Sequence, residues 1–108
     1  MKKEKKIELL ACYDETQFIF KCSAGQIHFN YGPVEIRFSP SSFKKFVRLV
    51  NQAHSNFIKR PETYYLMFSW DWLSLKISQK DISNFVNMVN QALFNLFGST
   101  DEWSSRLN

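Results

Sequence analysis

The chain has 108 residues, 44% hydrophobic and 17% aromatic with 11 Phe, enough for one folded domain around a single core and too apolar for a disordered polymer. Its net charge of +4 is concentrated in residues 1–6, where four Lys and one Glu carry +3 and leave +1 for the whole body. A basic arm on a nearly neutral body is weaker evidence for nucleic-acid binding than a basic fold, and two cysteines are too few for a disulfide framework or a zinc site.

Residues 1–6 are expected to be a flexible basic arm, because termini without apolar anchors rarely order. The opening MKKEKKIELLAC lacks the apolar core and cleavage site of a signal peptide, and no apolar run approaches the ~20 residues that span a bilayer. A cytoplasmic protein with no membrane partner is the expectation. Ile7 to Tyr13 is β-capable, Asp14-Glu15-Thr16 reads as a turn, and residues 17–22 form a second strand. In that strand Phe18, Phe20 and Cys22 point one way while Gln17, Ile19 and Lys21 point the other. Ser23-Ala24-Gly25 ends it.

A hairpin follows. With Tyr31-Gly32 as its loop, Phe29 faces Val34 and Ile27 faces Ile36, while His28 meets Glu35 and Gln26 meets Arg37 on the other side. Ser39 is a natural N-cap with Pro40 behind it, and Phe43, Phe46, Val47, Val50, Ala53, Phe57 and Ile58 make an apolar helical stripe that Arg60-Pro61 should end. A second hairpin with Trp70-Asp71 as its loop pairs Phe68 with Leu73, Leu66 with Leu75 and Tyr64 with Ile77. Ser78 and Asp81 read as a capping box opening a second helix, with a stripe of Ile82, Phe85, Val86, Val89, Ala92, Leu93, Leu96 and Phe97 before Gly98 stops it. The tail 99–108 is polar apart from Trp103 and Leu107.

These two halves repeat. FVRLVNQA at 46–53 recurs as FVNMVNQA at 85–92, and an offset of 39 aligns Ser39/Ser78, Phe46/Phe85, Val47/Val86, Val50/Val89, Asn51/Asn90, Gln52/Gln91, Ala53/Ala92 and Asn56/Asn95 as identities. The match reaches back through Ile27/Leu66, Phe29/Phe68 and Tyr31/Trp70. The expected architecture is therefore α+β: a single domain over 7–98, built from duplicated β-β-α units at about 26–58 and 65–97. Its antiparallel sheet would have five or six strands, ordered β-β-β-α-β-β-α with room for an extra N-terminal strand, and both helices would lie on one face.

Catalytic chemistry has little material here. No G-x-S-x-G, H-E-x-x-H, Walker A or G-x-G-x-x-G spacing occurs, and three glycines supply no phosphate-cradling loop. His28 beside Glu35 reads as a surface pair, and His54 as a structural residue near a helix end. No enzyme, cofactor or metal is expected. The helices differ in their outer faces: the first carries Lys44, Arg48, Ser55 and Lys59 with Lys45 and Arg60 beside them, whereas the second has Ser83, Asn87 and Phe94 there and no charge from Ile82 to Thr100. Such a neutral face fits either a protein interface or burial against neighbouring elements. The repeated Asn-Gln pairs would serve equally to bridge the two helices. The open face of the sheet is expected to carry Ile19, Lys21, His28, Arg37, Tyr65, Met67, Trp72 and Lys76.

The progression from Cys12 through an aromatic strand to Cys22, then Tyr31-Gly32, Ile36, Phe38, Phe43, Phe46 and Val50, resembles a family of short, uncharacterised bacterial proteins, chiefly from Bacteroidetes. The resemblance covers about residues 9–53 and implies no activity. Gly25 stands where a further cysteine is often found after the strand, so shared thiol or metal chemistry is not implied. The functional expectation is a small module acting by self-association or protein binding through Phe94, Asn87, Ile19, Met67, Tyr65 and Trp72. The alternative is a single-stranded nucleic-acid binder using Lys21, Arg37, Tyr65, Trp72 and Lys76, since aromatics among cations make a stacking platform.

Overall fold

A computed structural model of the chain describes residues 7–60 and 65–97. The expected arm at 1–6, Pro61, Tyr64, Gly98 and the tail with Trp103 and Leu107 lie outside the described residues. Strands β1 (Glu8–Asp14), β2 (Gln17–Lys21), β3 (Ile27–Tyr31) and β4 (Val34–Phe38) lead into helix α1 (Pro40–Ile58). Strands β5 (Tyr65–Trp70) and β6 (Leu73–Ser78) then lead, through a 3₁₀ turn at Gln79–Asp81, into helix α2 (Ile82–Phe97).

The first four strands form an antiparallel meander ordered β1-β2-β3-β4, and β5-β6 form a separate two-stranded sheet. The expectation of one sheet of five or six strands is thereby corrected. Alternation and turn residues specify which neighbours in sequence pair, and they are silent on whether two hairpins fuse edge to edge. Here the hairpins meet through side chains instead: the rings of Phe38 and Trp70 lie 5.5 Å apart.

Both predicted hairpin registers are off by two residues, and in the same direction. Observed partners are Phe29 with Ile36 and Ile27 with Phe38, then Phe68 with Leu75 and Leu66 with Ile77. The loops are Gly32-Pro33 and Asp71-Trp72, because positive φ is needed at their first residue: Gly32 has φ 62° and Asp71 φ 59°. A shift of two preserves which face is apolar, so the buried side was assigned correctly for these four strands. Strand β1 departs from simple alternation. Its register breaks between Leu9 and Ala11, so Leu10 and Ala11 are both buried. Asp14 Oδ1 organises the β1-β2 turn by accepting hydrogen bonds from the Thr16 and Gln17 amides at 2.8 and 2.9 Å, which lowers its pKa, the Thr16 amide contributing most.

Helix α1 starts as expected, with Ser39 Oγ accepting from the Ser42 amide at 3.1 Å. At α2 the capping is looser: Ser78 Oγ donates to Asp81 Oδ2 at 3.0 Å and the 3₁₀ turn intervenes. The stripes bury Phe43, Phe46, Val47 and Val50 on α1, and Ile82, Phe85, Val86, Val89, Ala92 and Leu93 on α2, while Ile58 is left exposed. Met88, outside the predicted stripe, is also buried. The reason is position: α2 packs against α1 on one side and across β1 and β2 on the other, while α1 rests chiefly on β5.

The centre of the core obeys the 39-residue offset. Phe29 and Phe46 lie 5.3 Å apart and their counterparts Phe68 and Phe85 6.0 Å; Phe29 and Phe85 lie 5.9 Å apart and Phe46 and Phe68 5.8 Å. Tyr31 stands edge-on to Phe85 at 5.3 Å as Trp70 does to Phe46 at 5.5 Å. Beside this cluster Asn51 and Asn90 exchange two amide hydrogen bonds, each 3.0 Å. The repeated asparagines therefore bridge the helices to one another.

Candidate protein-docking site

Strand β5 has the sequence YLMFSW, with neither charge nor proline, and among the described residues it pairs on one side only, with β6. Leu66 and Phe68 face the core, which leaves Tyr65 and Met67 on the outer side, 47% and 63% exposed. Between the free side of β5 and the second half of α1 runs a groove of about 440 Å³. Leu49, Ala53 and Phe57 line its helical wall, with Gln52, Asn56 and Arg60 as its polar groups. Trp72, at the β5-β6 loop, is 88% exposed.

The remaining predicted residues separate. Ile19 is fully buried, which corrects its placement on an open surface; the other face of β2, with Phe18, Phe20 and Cys22, is the outer one. Lys21 shares the side of Ile19 and is 3.6 Å from Glu8, so it too leaves the outer face. Arg37 lies on the outer side of β4, 3.9 Å from Glu35, and the Lys76 ammonium sits 5.0 Å from the centre of the Tyr65 ring. Asn87 is exposed and lines a small cleft with Ala11, Cys12, Tyr13, Asn84, Met88 and Gln91. Phe94 is 40% exposed. On α1, Lys44 and Arg48 flank a second groove shared with Leu93, and Lys44 Nζ is 5.3 Å from the centre of the Phe97 ring.

The expected His28-Glu35 pair is present, but the cysteine beside it was not foreseen. His28 Nδ1 lies 2.9 Å from Glu35 Oε2, a diagonal contact, since Arg37 is the residue directly opposite His28. The imidazole stacks on Phe20 with centroids 4.5 Å apart. Because Phe20 pairs with His28, Cys22 comes to the same side of β2 two residues further on. Its thiol interacts with the ring, while buried Nε2 makes no aligned hydrogen bond. Interaction with the His28 ring foremost, together with the Gln26 backbone, pulls the Cys22 pKa down to about 7, and Glu35 foremost raises that of His28. The signal available beforehand was the β2-β3 pairing, which the expected register of the later hairpin did not include.

No protein-family model matches the chain. Neither the curated proteins nor the solved structures supply a match. Among the described residues no helix is long and apolar enough to cross a membrane, and no group of three or more His, Cys, Asp or Glu is arranged to hold a metal ion.

Proposed function

We propose that this protein is a non-enzymatic binding module that takes up an extended segment of a protein partner at β5, built by duplication of a β-β-α unit. The observation that carries the reading is the uncharged edge of β5, unpaired among the described residues, beside an apolar groove. Sheet edges are ordinarily blunted by charge, proline or a covering element, because their unpaired amides and carbonyls template further pairing. A strand added here would gain main-chain hydrogen bonds from β5 and bury its side chains against Leu49, Ala53 and Phe57. Duplication is supported by the core rings and by the Asn51-Asn90 pair, which exchange places under the 39-residue offset.

The test uses a synthetic peptide with the sequence of residues 15–22 carrying C22S, a strand that already pairs inside this molecule. Titrated into the protein, it is expected to shift the backbone amide resonances of β5 with an affinity nearly independent of salt, as suits an apolar interface. M67K should abolish those shifts while changing stability by no more than about 0.5 kcal/mol, Met67 being exposed. A single-stranded oligonucleotide that bound instead, with affinity collapsing as salt rises, would favour the nucleic-acid alternative through Arg37, Tyr65, Trp72 and Lys76.

A further inference from the structure

Strands β3 and β5 occupy equivalent positions in the two halves, and so do β4 and β6. The edge of β3 away from β4 is covered by β2, and β1 lies beyond it; the equivalent edge of β5 has no strand beside it among the described residues. The first half of the molecule thus displays how the vacant edge of the second is filled. The helix faces agree. Leu49, Ala53, Asn56 and Phe57, which line the groove on α1, are the counterparts of Met88, Ala92, Asn95 and Leu96 on α2, the helix that covers β1 and β2. There Asn95 Nδ2 donates a 2.7 Å hydrogen bond to the backbone carbonyl of Leu10 in β1. Asn56 is exposed in the groove, and its amide has no protein partner among the described residues.

We infer that Asn56 is the groove's recognition residue, donating its side-chain N–H to a backbone carbonyl of the strand added to β5, as Asn95 does to β1; the inference rests on the reading that β5 accepts such a strand. Helix α2 stands over β1 and β2, whereas α1 stands over β5 itself, so Asn56 reaches the strand immediately beside β5. An amide donating to a main-chain carbonyl reads backbone and not side chain. The partner is therefore selected for an extended conformation with apolar residues at alternate positions. A second copy of this chain presenting its own β5 does not fit. Adjacent strands lie about 4.8 Å apart, and two α1 helices centred over adjacent strands would have to approach far closer than the 8–10 Å that packed helices need. The occupant is a strand from a different protein, with no helix of its own on that face.

The same 15–22 peptide carrying C22S serves as probe, with amide shifts on β5 and isothermal calorimetry as readouts. N56D removes the donor and sets a carboxylate against the carbonyl, and it is expected to weaken the peptide about tenfold without changing thermal stability, Asn56 being exposed. N56Q, which keeps an amide, should recover part of that loss. N95D should instead lower thermal stability by breaking the bond to Leu10. Unchanged affinity in N56D with the β5 shifts intact would overturn the role of Asn56 and leave strand addition standing. No shift on β5 in the unmodified protein would overturn both. A concentration-dependent dimer that M67K dissolves would make the occupant a second copy and overturn the assignment to a different protein.

Discussion

At Cys22 a thiol, an imidazole and a carboxylate are brought to one side of the sheet by nothing more than strand pairing. The β2-β3 register brings Cys22 to His28, and a diagonal contact brings His28 to Glu35. With its pKa lowered to about 7, Cys22 carries more thiolate at neutral pH than an ordinary cysteine, and the thiolate is the nucleophile. In a C12S background, alkylation by iodoacetamide should accelerate as pH rises and reach half its maximal rate near pH 7. The H28A variant removes the largest cause of the lowered value, so its midpoint should move upward. An unmoved midpoint in H28A would show that the imidazole does not act on the sulfur. Cys12 offers a contrast, since its thiol donates instead to the Asp14 carbonyl at 3.5 Å.

Among the elements, the two helices are joined by one polar pair that lies beside the aromatic core, with Asn51 exposed and Asn90 half-buried. Asn90 is held from two sides, donating to the Val86 carbonyl at 2.8 Å and exchanging bonds with Asn51. A double-mutant cycle of N51A and N90A should give a coupling of about 0.5–1.5 kcal/mol by urea denaturation, the range of a net hydrogen bond. Additive single effects would mean that the two amides ignore each other. The absence of charge on α2 also has its cause at this scale: the helix is enclosed by α1 on one side and by β1 and β2 on the other, with seven buried residues against four on α1. Burial accounts for much of that neutrality without a partner.

For the molecule as a whole, the two sheets are unequally protected. Strands β2 and β3 have a bonded neighbour on each side, whereas among the described residues β5 and β6 have only each other. Two strands alone are marginal, so β5-β6 depends on its packing against the helices. Native-state hydrogen exchange should therefore show the amides of β5 and β6 opening at lower free energy than those of β2 and β3. Equal protection would argue against a free β5 edge, and binding of a strand there should slow exchange in β5 first.

Local pattern alone determined much of this protein. Alternation in IHFNY and YLMFSW marked the buried faces, Ser39 marked a helix start, and the recurrence of FV-x-x-VNQA marked matching positions on α1 and α2, all through patterns local in the chain. What it left open involves residues far apart or choices that alternation cannot distinguish. A two-residue slip keeps every side chain on its face, so the loops at Gly32 and Asp71 were decided by backbone conformation. Ile19 and Phe18 are both apolar, and only the packing of α2 across β1 and β2 decided which of them is buried. The tertiary structure likewise kept the two sheets apart, leaving one edge of β5 without a strand neighbour among the described residues, because pairing between distant strands depends on where the helices settle.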